Sequence, residues 1–299
     1  MTAIAAAALA LWILTAVTVL LGMGYFRRYP MTRPPLGVMH LGDVAFMLGA
    51  IVLIPYLYLS LPGWVVAALF AVGSLGLLQL LFEPIVPHSV RRWLPWVAAA
   101  GLVAADILLA RQTGTESRSF LAVNTVVLVL TVVAVTNVWA QSGLRARDLA
   151  ILGGVLVGYD LVATALLPLT DDLMTRLAGL PFTPVLVWPV GNQGWAGIGL
   201  GDLLFAIAGP LVFRKAFGHI AGVVAILVAL GAIGALFAAG VLGWLPGTFP
   251  VMVVLGPLLV AQYLVWIRRQ GTERTTAEYL AAEPIRPYGQ VLARPAQPS

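Results

Sequence analysis

Nine apolar stretches, separated by shorter polar connections, run along most of the chain. A helix needs about 20 predominantly apolar residues to cross a hydrocarbon core about 30 Å thick, and each stretch reaches or approaches that length. The stretches lie at residues 3–25, 36–59, 63–83, 93–110, 120–140, 148–168, 195–213, 219–242 and 249–267. This pattern predicts an all-α polytopic membrane protein whose nine transmembrane helices occupy residues 1–269.

The C-terminal segment from 270 to 299 differs from the rest of the chain. It is polar and contains Pro284, Pro287, Pro295 and Pro298. Segments of this composition bury too little apolar surface to offset the entropy lost on ordering. We therefore predict a disordered, Pro-rich cytoplasmic tail.

The composition agrees with a membrane protein and excludes several other classes. Of the 299 residues, 61% are hydrophobic and 10% are charged, whereas about a quarter of the residues in a soluble domain are charged. The absence of cysteine excludes a disulfide framework, a thiolate metal site and a cysteine nucleophile. The net charge of +5 comes from arginines scattered between apolar runs, so we expect the lipid bilayer as a partner and no nucleic acid. No cofactor or metal is predicted.

The basic residues predict the orientation of the helices. If the N-terminus lies outside the cell, 14 of the 17 Lys and Arg residues fall on the cytoplasmic side, as the positive-inside rule requires. We therefore predict an external N-terminus and a cytoplasmic C-terminus. The single lysine, among abundant Arg, Ala, Val and Gly, favours a G+C-rich prokaryotic genome and hence the plasma membrane.

Four aspartates lie within the predicted spans, at positions 43, 106, 160 and 202. A carboxylate inside a membrane costs several kcal/mol unless it is paired or protonated, so each is a functional candidate. Asp106 is near the end of its span and near Arg111, which favours a location at the membrane interface. Asp43 follows His40 by one helical turn, and this pair fits a proton relay and an interhelical hydrogen bond equally well.

Asp160 and Asp202 are the two candidates whose predicted positions converge. The sixth span runs outward and places Asp160 about 12 Å below its outer end, and the seventh runs inward and places Asp202 about 10 Å below the same face. Consecutive antiparallel helices tend to be neighbours. Two carboxylates that meet in a low-dielectric site share one proton, the state in which an aspartyl protease activates water against a peptide carbonyl. This chemistry requires neither a metal ion nor a covalent intermediate.

The two aspartates belong to motifs in consecutive spans. Asp202 ends the segment Gly199-Leu200-Gly201-Asp202, and Asp160 follows Tyr159. On these residues the chain resembles the GxGD intramembrane aspartyl proteases, the family of presenilin and signal peptide peptidase. That family has nine spans, Tyr-Asp in the sixth, Gly-x-Gly-Asp in the seventh and Pro-Ala-Leu at the start of the ninth. The similarity lies mainly between residues 150 and 215.

The resemblance implies roles for the residues around both motifs. Asp160 and Asp202 are the implied catalytic pair, and Gly199 and Gly201 the residues that shape the site. The run from 184 to 189, bounded by two prolines, is the implied place where an extended substrate pairs with the chain. Such pairing fits the chemistry, because a helical substrate hides its peptide bonds and strand addition holds one open.

The third motif departs from the family. Gly247-Thr248-Phe249, followed by Pro250, stands where Pro-Ala-Leu is expected. The irregular Pro/Gly backbone is kept, but the alanine and leucine are not. The substrate-binding residues that the resemblance implies are Tyr159, Gly199, Leu200, Gly201, Val185, Leu186, Val187, Thr248, Phe249 and Pro250.

The predicted function is hydrolysis of peptide bonds in signal-peptide-like or single-span transmembrane segments. A second GxGD family, the prepilin peptidases, has fewer spans and basic residues after the motif, where this chain has Leu203-Leu204-Phe205. Two other classes stay open: a proton-coupled transporter or channel, which His40, Asp43 and Asp106 would serve, and an inactive homologue that only binds membrane helices. Small residues in several spans also permit a homo-oligomer.

Overall fold

Long helices make up most of the computed structural model, which describes residues 3–31, 41–167, 169–190, 195–245 and 249–282. The helices in this part of the chain are α1 (Ala3–Arg28), α2 (Leu41–Ser60), α3 (Gly63–Phe82), α4 (Leu94–Thr113), α5 (Arg118–Gln141), α6 (Ala146–Leu161), α7 (Leu169–Ala178), α8 (Leu200–Phe217), α9 (His219–Val241), α10 (Met252–Gln270) and α11 (Thr276–Ala282). A π-helical turn, Val162–Leu166, lies between α6 and α7, and two strands, β1 (Val185–Pro189) and β2 (Trp195–Gly199), precede α8.

Seven of these helices, α1 to α5, α9 and α10, are long and apolar enough to cross a membrane. The count becomes eight if α6 and α7 form one span with a bend of 80° between them. The chain is thus an all-α, polytopic membrane protein, as its hydropathy predicted. The two predicted spans outside the seven are the sixth and the seventh, which carry Asp160 and Asp202. The sixth is broken, and the seventh, α8, carries Asp202, Arg214 and Lys215 within 18 residues.

The sixth predicted span, 148–168, ends earlier than the sequence indicated. The α-helix stops at Leu161, and the π-helical turn separates it from α7. Proline at position 168 has no N–H with which to continue a helix. On either side of it, the Thr164 hydroxyl lies 3.0 Å from that of Thr170, which also donates to the Ala163 carbonyl oxygen. Side-chain hydrogen bonds therefore connect the two sides of the break.

The seventh predicted span, 195–213, begins as a strand instead of a helix. Strands β1 and β2 pair antiparallel, in a register that sets Val185 opposite Gly199. Glycine relieves crowding within β2, because a Cβ atom on Gly197 would lie 2.7 Å from Val185 Cγ1 and would force that side chain to move. The helix starts only at Leu200. The hairpin consequently ends at the first turn of α8, which contains Asp202.

Helix α8 lies at the centre of the bundle. Nearly all of its residues from 203 to 217 are buried, against α1, α5, α6, α9 and α10. Lys215, only 2% exposed, donates to the carbonyl oxygens of Ala140 and Leu144 at 2.8 and 2.6 Å. Ala140 lies in the last turn of α5, where carbonyl groups lack partners inside the helix, and Leu144 lies in the connection that follows it. A buried cation is therefore satisfied by an adjacent helix end.

The segment after α10 is ordered as far as Ala282, in contrast to the prediction of a disordered tail from residue 270. Helix α11 occupies most of it. The ring of Tyr279, 2% exposed, stacks on Phe26 of α1 with 5.4 Å between centroids. Composition alone does not reveal a contact between two segments so far apart in sequence. Residues 283–299 of the predicted tail lie outside the described residues.

Two residues of this segment hold the ends of α6 and α8. Glu273 Oε2 accepts the backbone N–H of Ala146, the first residue of α6, at 2.9 Å. Arg274 donates its backbone N–H to the carbonyl oxygen of Ala216 and its guanidinium Nη2 to that of Arg214, each at 3.0 Å. Glu273 and Arg274 thus connect the N-terminus of α6, which carries Asp160, with the C-terminus of α8, which carries Asp202.

Candidate active site

The carboxylate of Asp160, a residue of α6, contacts the N-terminus of α10. Its Oδ2 accepts the backbone N–H of Met252 at 2.9 Å, and its Oδ1 accepts the hydroxyl of Thr164 at 3.3 Å. The first N–H groups of a helix have no acceptor inside that helix, and the helix dipole favours an acidic group there. Asp160 therefore both satisfies a free N–H of α10 and is fixed by it.

Two glycines, Gly153 of α6 and Gly256 of α10, allow these two helices to approach each other closely. A Cβ atom on Gly256 would overlap the carbonyl oxygen of Gly153 and the side chain of Val157, and one on Gly153 would lie 3.2 Å from Leu259 Cδ1. Close approach of membrane helices depends on such small residues. A larger residue at position 256 would push the start of α10 away from Asp160.

Asp202 lies in the first turn of α8, beside the end of the hairpin. Its carboxylate accepts the backbone N–H of Gly199, the N-cap residue of α8. The charge on Asp160 acts on the Asp202 carboxyl group. Both side chains are half-buried, and their helices pack against each other. The structure thus brings together the two aspartates that the sequence singled out.

The glycines before Asp202 leave space that no described helix fills. A Cβ atom on Gly199 would meet only Asp202 Oδ2, at 3.4 Å, and one on Gly201 would meet no described atom within 4 Å. Gly153 and Gly256, in contrast, are the glycines at which α6 and α10 touch. Packing between described helices therefore does not explain the two glycines of the GxGD segment.

The predicted substrate-pairing run forms β1, and its side chains face different surroundings. Leu186 is fully buried and pairs across the hairpin with Ile198, which is also buried. Val185 and Val187 are half-buried, and they point to the opposite side of the strand from Leu186. A substrate that paired with β1 would therefore contact its backbone and leave Leu186 in the core.

The remaining predicted substrate-binding residues lie near the two aspartates in sequence or at the start of α10. Tyr159 and Leu200 are half-buried against the core around α8. Phe249 is half-buried and Pro250 is buried, and both come just before α10. Thr248 lies outside the described residues.

The other two membrane aspartates have different surroundings. Asp106 is 0% exposed, and its Oδ2 accepts the backbone N–H of Phe182 at 2.9 Å. Asp106 therefore lies inside the protein with a backbone partner, and neither ion pair in the described part of the chain joins it to Arg111. Asp43 is exposed in the first turn of α2, and His40, its predicted partner, lies outside the described residues. In the described part of the chain, no group of three or more His, Asp or Glu side chains is placed to hold a metal ion.

Sequence reasoning missed Thr164, Met252 and Gly256. Thr164 follows Asp160 by one helical turn, so helical spacing did contain a signal for it. Met252 contributes a backbone N–H that any residue except proline would supply. Gly256 differs from the other membrane glycines only in its neighbours. The tertiary structure is therefore needed to identify the last two.

No protein-family model matches the chain, and no curated protein shows a significant sequence match to it. The resemblance to the GxGD proteases accordingly depends on the two motifs and their spacing.

Proposed function

We propose that this chain is an intramembrane aspartyl endopeptidase of the GxGD type. The observation that carries the proposal is the proximity of Asp160 and Asp202, which lie on packed helices at a distance where their charges interact. Two carboxylates that meet in a low-dielectric site share one proton, and this is the state that the proposed mechanism requires. Ionisable groups within a membrane are expensive, and a pair of them is a functional site by default.

In the proposed mechanism Asp160 is the general base and Asp202 the general acid. Both oxygens of Asp160 receive hydrogen bonds, from Met252 and Thr164, and such bonds favour the carboxylate over the acid. Asp160 removes a proton from water as the water oxygen bonds to the peptide carbonyl carbon, and Asp202 donates its proton to the carbonyl oxygen. As the tetrahedral intermediate breaks its C–N bond, Asp160 gives the proton to the leaving amine. Asp202 regains its own from the hydroxyl group.

The hairpin and the GxGD glycines supply a place for the substrate. The described sheet has only two strands, so β1 has one edge on which no described strand pairs. A helical substrate must unwind to expose a peptide bond, and strand addition at an edge would hold it extended. The open space at Gly201 lies next to Asp202. Signal-peptide-like or single-span membrane segments are therefore the proposed substrates.

The proposed topology has nine spans, with α6 and α7 together as the sixth and α8 as the seventh. Basic residues occupy the last turns of α1, α8 and α10. Tyr279 contacts Phe26 near the end of α1, and Arg274, in the same short segment, contacts the end of α8. The C-terminal ends of α1 and α8 therefore lie on the same side of the protein. By the positive-inside rule that side is the cytoplasm. The N-terminus is then external, and the proposed location is the plasma membrane of a prokaryotic cell.

The test is cleavage of a labelled single-span peptide by the full chain in lipid nanodiscs, with products identified by mass spectrometry. Asp160→Asn and Asp202→Asn should each abolish cleavage. Asp43→Asn is the matched control, because it makes the same change at an exposed aspartate of α2, and it should cleave like the wild type.

Three outcomes would overturn the proposal. Cleavage by either catalytic variant would show that the pair does not carry the chemistry. A wild type that binds the peptide without turnover would indicate a helix-binding protein. Proton-driven flux that is lost in Asp43→Asn, in a protein without peptidase activity, would indicate a transporter.

A further inference from the structure

Asp106 of α4 is a buried carboxylate that the proposed mechanism does not use. Its Oδ2 accepts the Phe182 N–H at 2.9 Å, and its Oδ1 is buried without a hydrogen-bond partner among the described residues. Neither salt bridge in the described part of the chain involves it. A carboxylate inside a membrane is costly. Its hydrogen bond to Phe182 is therefore the feature that can explain why an aspartate stands at this position.

Phe182 has a backbone conformation that bulky residues rarely adopt. Its φ of 59° lies in the left-handed region, and no other non-glycine residue in the described part of the chain has a positive φ. The ring is buried in the cluster that includes Tyr25, Leu78 and Leu81. Such a conformation persists only where the surroundings over-determine it. Here the Asp106 hydrogen bond and the packing of the ring together do so.

The turn that contains Phe182 leads directly into β1. The carbonyl oxygen of the next residue, Thr183, accepts a hydrogen bond from the Asn124 side chain of α5 at 3.2 Å. The carbonyl oxygen of Pro184 accepts the N–H of Leu200 at 2.9 Å, and Leu200 belongs to the GxGD segment. The start of β1 is thus fixed by α4 and α5 on one side and by the first residue of α8 on the other.

We propose that Asp106 is a positioning residue that holds β1, and with it the extended substrate, beside the catalytic pair. The part of this inference that concerns substrate rests on the proposed function, whereas the part that concerns the strand does not. Without Asp106 the Phe182 N–H has no buried acceptor, and the left-handed turn loses one of its two constraints. The strand then moves relative to Leu200, while the two aspartates on α6 and α8 keep their places.

The experiment compares three variants of the full chain in nanodiscs. Asp106→Leu removes the acceptor but keeps the branched shape and the number of heavy atoms, and Asp106→Asn keeps an oxygen that can accept the Phe182 N–H. Thr136→Val is the matched control, because the Thr136 hydroxyl is equally buried but bonds only to carbonyl oxygens of its own helix. Asn124→Leu removes the second contact to the same turn and replaces Asp106→Leu if that variant does not fold.

Hydrogen–deuterium exchange of residues 182–190 and cleavage kinetics give separate readouts. For Asp106→Leu we expect about tenfold faster exchange in this segment and about a tenfold higher KM, with kcat changed by less than about twofold. Asp106→Asn and Thr136→Val should stay close to the wild type in both measurements.

Wild-type exchange in Asp106→Leu would overturn the proposal, as would equal effects in Thr136→Val. A loss of kcat at unchanged KM would also overturn it, because that result would place Asp106 in the chemistry. If the wild type cleaves no peptide, the proposed function fails, and the exchange measurement alone decides whether Asp106 holds β1.

Discussion

Asp160 accepts the first free N–H of α10, that of Met252, so a candidate catalytic carboxylate is also the cap of another helix. Phe249 and Pro250, which come just before α10, therefore lie near Asp160. In the family that the chain resembles, Pro-Ala-Leu stands at this point, and here other side chains replace it. The contact to Asp160 uses a backbone N–H, which does not depend on those side chains.

The capping role of Asp160 can be separated from its proposed chemistry. Asp160→Asn keeps an oxygen for the Met252 N–H, whereas Asp160→Leu leaves that N–H without an acceptor. Both variants lose the charge, so their difference isolates the hydrogen bond. We expect no cleavage by either one, and a free energy of unfolding about 1–2 kcal/mol lower for Asp160→Leu than for Asp160→Asn. Thermal unfolding in detergent measures the difference, and equal stabilities would refute the capping role.

Gly256 should tolerate no side chain. In Gly256→Ala the new methyl group meets the carbonyl oxygen of Gly153, and the strain should lower the free energy of unfolding by about 1–3 kcal/mol. Because α10 is displaced from Asp160, cleavage should fall as well. Gly231→Ala in α9 is the control, since no described atom lies within 4 Å of its Cβ position. Equal melting temperatures for the two variants would contradict this account of helix contact.

Gly201, in contrast to Gly256, should accept a methyl group without loss of stability. Its Cβ position faces open space beside Asp202, so Gly201→Ala should keep the melting temperature of the wild type. If substrate occupies that space, the methyl group should raise KM severalfold. Melting curves and cleavage kinetics on the same preparation test both points. A destabilised variant with an unchanged KM would mean that Gly201 serves packing and not substrate.

Glu273, which follows α10 in the chain, should stabilise the N-terminus of α6. Its carboxylate accepts the N–H groups of Ala146 and Arg147 at 2.9 and 3.3 Å. Glu273→Ala should therefore lower the free energy of unfolding by about 1 kcal/mol, and Glu273→Gln, which keeps an oxygen, by less. The same substitution at the exposed Glu116, between α4 and α5, should have no effect. Unfolding curves that do not distinguish Glu273→Ala from Glu116→Ala would exclude a cap.

Uninterrupted spans were predictable from the sequence because hydropathy is a local property. The predicted spans 63–83 and 219–242 correspond to α3 at Gly63–Phe82 and α9 at His219–Val241. The prediction failed where pairing or packing with another segment decides the conformation. Residues 195–199 look like the start of a span, yet they form β2 because β1 supplies the other half of a hairpin. The ordered segment after α10 likewise depends on contacts with α1, α6 and α8.

By itself the sequence determined that the chain lies in a membrane and that its few internal charges are the places to look for chemistry. Both conclusions follow from the cost of transferring each residue into hydrocarbon, which needs no knowledge of neighbours. Only the tertiary structure decided which groups surround each aspartate. Asp160 and Asp202 lie on helices that pack against each other, whereas Asp106 binds the turn before β1. The partners of Asp160 and Asp106 are backbone N–H groups from segments distant in the chain, and no residue type or periodicity records where those groups will lie.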